Sequence, residues 1–194
     1  TARNEAANLY RQVAADPHMS AAGLGIHIGS QITSLDPFEQ AYRALLDFGT
    51  ALRAEGLDVP VLDLGGGIGV DYEAGEACDF TDYGALVSRL FADSGFILGF
   101  EPGRSIMANN GVLLTRVIYV KDGDNKRFVI VDAAMNDLLR PTLYEAHHAI
   151  QTVQSPGPGI GPADIVGPVC ETGDYLGQGR DMPQLGAGDA LAVL

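Results

Sequence analysis

Three glycines recur at one interval, and that interval constrains the fold more than any other feature. Gly29, Gly66 and Gly103 stand 37 residues apart. Each lies at or just past the end of a short apolar run: Gly23 to Gly29, Val59 to Leu64, and Phe96 to Phe100. Helical patterns fill the gaps between these runs. A βα unit of a (β/α)8 barrel takes roughly 30 residues or a little more, so the repeat predicts three successive units. An open doubly wound sheet is the rival arrangement. The barrel is favoured because all three runs end in polar or glycine-rich segments, whereas an open sheet concentrates its chemistry at one switch point.

The helices carry their own signals. Asn4 to Ala15 has Leu9 and Val13 on one face, and Asp16-Pro17 ends it. Asp36-Pro37-Phe38-Glu39 predicts a helix start with Asp36 as the cap. Phe38, Tyr42, Leu45 and Leu52 mark its buried face, and Gly56 closes it. A third helix is expected near Tyr83 to Ala92, with Leu86 and Leu90 inward. Beyond Arg104 the texture changes. Gly111 to Val120 and Lys126 to Ala133 read as strands joined by the turn Asp122-Gly123-Asp124-Asn125. Ser155 to Pro162 reads as a Pro/Gly loop. Ile165 to Cys170 and Ala190 to Leu194 read as further short strands. The expectation is an α/β segment, residues 1–110, forming the C-terminal part of a (β/α)8 TIM barrel. An antiparallel β-domain, sandwich or Greek-key-like, follows over 111–194 and is incomplete at its C-terminus.

Composition narrows the partners. A net charge of −13 and a pI near 4.4 argue against nucleic acid or an anionic membrane. No run is apolar enough to span a bilayer and no signal-peptide pattern is present, so cytoplasm is the default. Cys78 and Cys170 lack metal-ligand spacing. The start resembles mid-helix and the end stops inside a strand, as in an internal segment of a longer protein.

Several residues invite chemistry. In Glu101-Pro102-Gly103-Arg104 an acid can meet a basic ring nitrogen, and a guanidinium with open backbone can meet an anion. Gly65-Gly66-Gly67-Ile68-Gly69 lets amides approach a phosphate, or simply makes a tight turn. His27 is either a core histidine in a buried strand or a ring that stacks on an aromatic cofactor, with Ser30 donating to phosphate. Cys170 opens the polar loop Cys170-Glu171-Thr172-Gly173-Asp174. A thiol is mostly protonated at neutral pH, which suits a proton donor better than a nucleophile. Arg140 and Tyr144 fall on one side of a short turn, though from the residues alone Arg140 reads first as the partner of a surface acid. His147-His148 reads as a pair of solvated loop histidines, not a metal site. Cys78 reads as incidental.

His27-Ile28-Gly29-Ser30-Gln31, Gly65-Gly66-Gly67, Glu101-Pro102-Gly103-Arg104, the run from Asp132 through Pro141, and Cys170-Glu171-Thr172-Gly173-Asp174 occur in order. Together they resemble the diaminopimelate decarboxylases, a family of fold-type III, alanine-racemase-like pyridoxal 5′-phosphate (PLP) enzymes. The first three motifs are shared with ornithine and other basic amino-acid decarboxylases. The Asp132 to Tyr144 stretch and Glu171 are more specific. The resemblance implies a barrel and a β-domain assembled as a homodimer with shared active sites. It implies that His27 stacks on PLP, that Ser30, Gly65, Gly66, Gly67, Pro102, Gly103 and Arg104 surround its phosphate, and that Glu101 faces the ring nitrogen. It further implies that Arg104, Arg140 and Tyr144 hold substrate carboxylate, that Glu171 meets the distal ammonium, and that Cys170 delivers a proton. The reaction implied is meso-diaminopimelate to L-lysine and CO2. Alternatives are a related decarboxylase for ornithine, arginine or a carboxylated polyamine, and a non-catalytic PLP-binding barrel. Two departures stand out. The family more often has Ser where Thr172 stands. The only lysines, Lys121 and Lys126, flank the hairpin turn, so the lysine that carries PLP covalently and a late tyrosine-bearing segment are absent, and the segment alone is expected to be inactive.

Overall fold

Three short strands run parallel, in the order β1 (Gly23–Gly25), β2 (Val61–Asp63), β3 (Ile97–Gly99), with Leu24, Leu62 and Leu98 in register. The computed structural model describes residues 2–72, 77–154 and 157–194. The chain divides into two compact units, Thr1–Ala108 and Asn109–Leu194.

In the first unit, helices α1 (Arg3–Ala15), α2 (Asp36–Ala54) and α3 (Phe80–Phe91) accompany the sheet, and α4 (Arg104–Met107) follows it. Helix α2 buries Phe38, Tyr42, Leu45 and Leu52, the face that its periodicity marks. These pack with Tyr83, Leu86, Val87 and Phe91 of α3 and with Val59, Leu62 and Leu64. Burying each such side chain is worth about 1.5–3 kcal/mol. The hydroxyls of Tyr42 and Tyr83 meet at 2.7 Å inside this core, so neither is buried unpaired.

Local details depart from expectation. Asp36 does not cap α2: Leu35 occupies the cap position and Asp36 is the first helical residue, its N–H donating to Ser34 Oγ at 3.4 Å. The side-chain cap belongs instead to α3, where Asp79 accepts from the N–H groups of Thr81 and Asp82. The strands are shorter than their apolar runs. His27 is therefore exposed and outside β1, because the chain leaves the sheet after Ile26 bonds Asp63 O at 3.0 Å. The β3 run is not wholly buried either. Ile97 is 66% and Phe100 46% exposed, since β3 is an edge strand among the described residues.

The second unit is one six-stranded sheet in the order β6-β9-β4-β5-β7-β8. Its strands are β4 (Leu113–Asp122), β5 (Arg127–Val131), β6 (Ile150–Thr152), β7 (Gly159–Val166), β8 (Tyr175–Pro183) and β9 (Ala190–Val193), with helix α5 (Arg140–Tyr144) between β5 and β6. The Asp122 to Asn125 hairpin turn forms as expected, with Asp122 opposite Arg127. The sheet is mixed, not antiparallel, because β5 and β7 pair in parallel. It is also nearly closed and not a two-sheet sandwich. Strand β4 explains this: its N-terminal half pairs with β9, its C-terminal half with β5, and the register shifts between Val117 and Tyr119. Such a bulge bends and twists one strand, so the sheet curls instead of splitting. Val117, Val129, Val131, Ile165, Leu176 and Leu191 fill the interior. The expected Pro/Gly loop is partly strand: β7 begins at Gly159, and Gly161 N–H donates to Asp181 Oδ1 at 3.1 Å. Ser155 and Pro156 lie outside the described residues.

Candidate active site

The first unit gathers its polar residues where the chain leaves the three strands. Gly65, Gly66 and Gly67 form a turn threaded between its neighbours. Glu101 N–H donates to Gly65 O at 2.8 Å, and Ile32 N–H to Gly67 O at 3.0 Å. Gly65 and Gly67 have φ of +69° and +105°. A methyl group at Gly65, Gly66 or Gly67 would overlap the carbonyl of Ile26, Glu101 or Gly29 respectively. The glycines are required for close backbone approach, and the amides of Gly66 and Gly67 make no hydrogen bond to protein among the described residues.

Arg104 points back to the same place. Its Nη2 donates to Ser30 Oγ at 3.1 Å, and its Nη1 to Gln31 Oε1 at 3.2 Å and Tyr72 Oη at 3.5 Å. Ser30, the glycine turn, Glu101, Pro102, Gly103 and Arg104 thus converge, and His27 stands exposed beside them in the chain. A guanidinium, a hydroxyl and open amides around side-chain-free backbone form a donor set that suits a phosphate monoester. Neither lysine belongs to the unit that carries this cradle: Lys126, ion-paired with Asp164 at 2.5 Å, and Lys121, on β4, are both in the second unit.

The second unit carries its own cluster. Helix α5 brings Arg140 and Tyr144 to i and i+4, on one face. It is fastened to the cysteine loop by Thr142 Oγ1 donating to Gly173 O at 2.5 Å and Tyr175 Oη donating to Pro141 O at 3.0 Å. Asp174, only 3% exposed, completes the clamp: its carboxylate accepts from Met135 N–H at 2.6 Å and Val169 N–H at 2.7 Å. Cys170 and Glu171 remain exposed on the loop that this clamp holds. Asp132 anchors the start of the same segment. The N–H of Arg116 at 2.7 Å and the hydroxyl of Thr115 at 2.8 Å both donate to its carboxylate and hold it below the usual range.

His148 is a correction. It is not a solvated loop residue but 8% exposed, with Nδ1 2.7 Å from Leu194 O and Nε2 3.2 Å from Arg140 Nη1. A carbonyl only accepts, so Nδ1 carries the proton and Nε2 accepts from Arg140. Burial pushes its pKa down, and Arg140, His147 and Arg180 add to that. Cys78 is buried, its thiol 3.5 Å from Ile32 O and pushed up in pKa by burial. Among the described residues no cluster of His, Cys, Asp and Glu has the arrangement of a metal site.

Sequence reading missed Gln31, Thr142, Asp174 and His148 as supports. Asp174, Gln31 and Thr142 sit inside the marked motifs and stretches, and His148 lies in a histidine pair whose burial no local pattern announces. For Asp174→Asn, an amide NH2 would face a backbone N–H, and the expected loss is about 1.5–3 kcal/mol in urea unfolding. An unchanged unfolding midpoint would show that the clamp contributes nothing.

An α/β unit with an anion cradle, joined in sequence to a nearly closed mixed sheet, defines a class. The chain belongs to the pyridoxal-dependent decarboxylases: the model of their C-terminal sheet domain matches residues 13–194. It is similar to the diaminopimelate decarboxylase of Zymomonas mobilis, 45% identical over 100% of this chain and 46% of that protein. The crystal structure of diaminopimelate decarboxylase from Helicobacter pylori complexed with L-lysine aligns with a TM-score of 0.91 and 39% identity, over 98% of this chain and 48% of that one. A structure of SrLDC in complex with PLP and cadaverine aligns with a TM-score of 0.85 and 26% identity, over 100% of this chain and 51% of that one. The chain spans about half the length of the curated relatives it matches. No helix among the described residues is long and apolar enough to cross a membrane.

Proposed function

We propose that the chain is the C-terminal part of a diaminopimelate decarboxylase, which converts meso-2,6-diaminopimelate to L-lysine and CO2. The observation that carries this is the convergence of Ser30, the glycine turn, Glu101 and Arg104 at one end of the parallel sheet. In this reading the first unit is an arc of a (β/α)8 barrel. Two features support the arc. The exposed apolar residues of β3 suit a further strand, and a cavity of about 790 Å3 lined by Leu9, Leu24, Ile26 and Ile28 opens beside β1.

The cradle fits PLP, with the covalent lysine supplied from outside this chain. The amides of Gly66, Gly67 and Gly103, Ser30 and Arg104 would hold the phosphate, with Pro102 shaping the corner and Gly65, whose N–H donates to Asp63 Oδ1 at 2.8 Å, fixing the turn. His27 would stack on the ring, and Glu101 would keep its nitrogen protonated. When bound, PLP supplies an electron sink for the bond that breaks as CO2 leaves. This chain's residues do the rest. Arg104, Arg140 and Tyr144 would hold carboxylate, and Glu171 the distal ammonium. Cys170 Sγ would deliver its proton to the carbon that CO2 has left, reaching a site shared across a homodimer. A guanidinium fork opposite a carboxylate distinguishes a substrate with two amino-acid ends from lysine, which has one. Two free thiols without a disulfide suit the cytoplasm.

The test is a substrate comparison with the full-length protein loaded with PLP. Lysine and CO2 are expected from meso-diaminopimelate, with kcat/KM at least about 10²-fold above that for ornithine or lysine. Release of CO2 from ornithine but not from meso-diaminopimelate would overturn the assignment.

A further inference from the structure

We infer that Gln31 is a positioning residue that sets the Arg104 guanidinium and the Gly65–Val70 turn in one register, a role that rests on the cofactor site proposed above only for its consequence in binding. Three observations meet at this side chain. Its carboxamide brackets a single residue: Nε2 donates to Val70 O at 2.6 Å and Oε1 accepts from Val70 N–H at 3.2 Å. The same Oε1 accepts from Arg104 Nη1 at 3.2 Å. The backbone at Gln31 is left-handed, with φ of 58°.

The third observation gives the other two their weight. A left-handed conformation is unfavourable for a residue with a side chain unless it is Asn or Asp, and it persists where the surroundings demand it. Glycine would satisfy the backbone at no cost. Gln31 instead combines the costly backbone with a carboxamide that donates to a carbonyl, accepts from an amide and accepts from a guanidinium at once. Its neighbours confirm the direction of the turn. Ile32 N–H bonds Gly67 O at 3.0 Å, and Gly69 N–H bonds Ile32 O at 3.0 Å. Ser30 on the other side takes Arg104 Nη2. The chain at Gln31 is therefore locked between the glycine turn and the arginine, and its side chain couples the two. Glutamate would put an oxygen against Val70 O, and asparagine is one methylene too short to reach Val70 and Arg104 together.

A double-mutant cycle on the full-length protein tests this. Gln31→Gly keeps the backbone at ease and removes the carboxamide. Combined with Arg104→Lys, it separates action through Arg104 from a general structural role. The readouts are the PLP dissociation constant, by equilibrium dialysis with absorbance, and the KM for meso-diaminopimelate. Gln31→Gly is expected to weaken at least one of them about tenfold, and to add no further loss in the Arg104→Lys background. Independent, additive losses would overturn the inference. Amide hydrogen exchange of the PLP-free protein gives a second measure. Exchange over residues 66–72 and 101–107 should quicken in Gln31→Gly; unchanged exchange in both segments overturns the inference whatever binds there. Faster exchange and a non-additive cycle sustain it. Faster exchange with PLP affinity and KM unmoved in both single variants sustains the positioning role and removes Arg104 from the proposed cofactor and substrate site.

Discussion

Cys170→Ala in the full-length, PLP-loaded protein is expected to lower kcat by about 10²–10⁴-fold, the usual worth of a positioned proton donor. PLP affinity should stay at the parent value. The structure supports this separation of effects. Among the described residues Cys170 Sγ makes no hydrogen bond, whereas the loop around it is held by backbone and by Asp174. Val169 N–H bonds Asp174 Oδ2 at 2.7 Å, Glu171 N–H bonds Val169 O at 2.8 Å, and Asp174 N–H bonds Glu171 O at 3.0 Å. Removing the thiol therefore removes the proposed proton source without releasing the loop. Steady-state kinetics beside a PLP titration make the check. Turnover equal to the parent would take Cys170 out of the mechanism, and lost PLP binding would mean that the thiol has a structural role.

Gly66→Ala is the second large effect. The new methyl would overlap Glu101 O, and that carbonyl cannot simply retreat, because Glu101 N–H is tied to Gly65 O at 2.8 Å. Either the glycine turn lifts or the Glu101 corner moves. Overpacking of this kind costs about 1–3 kcal/mol and occasionally more. It also displaces the acid and the amides that the proposed cofactor site uses, so PLP affinity should fall together with stability. Gly84→Ala is the control. Gly84 lies exposed within α3, and a Cβ there meets nothing within 4 Å. It should gain about 0.4–1 kcal/mol. Thermal unfolding of both variants decides the matter: equal midpoints would mean that the backbone contact at Gly66 is not tight.

The contrast between these glycines shows how much was legible beforehand. The interval between Gly29, Gly66 and Gly103 marked the strand ends, and those ends do carry the converging polar groups. The buried face of α2 was readable because helical periodicity is local, and the Asp122 to Asn125 turn because hairpin chemistry is local too. Cap assignment failed at Asp36 and was missed at Asp79, since both positions offer the same side chain and only the backbone angle selects which one caps. Parallel pairing of β5 with β7 was not readable, because nothing in either strand names its partner. Strands β6 and β8 escaped notice for a related reason. Ile150–Thr152 is too short to show alternation, and Tyr175–Pro183 holds two glycines and three charged or amide residues.

The amino-acid sequence by itself determined the chemistry available to this protein. It set which acids, guanidiniums, thiol and glycines lie at the ends of its strands, and in what order. Those choices are carried by residue type and short spacing, and they point to the family without any coordinates. Only the tertiary structure decided what holds them. Gln31 reaches Val70 across 39 positions, Asp174 reaches Met135 across 39, and His148 reaches Leu194 across 46. Hydrogen bonds over such separations depend on how the strands pair and where the sheet bends, and those are set by the packing of the whole unit.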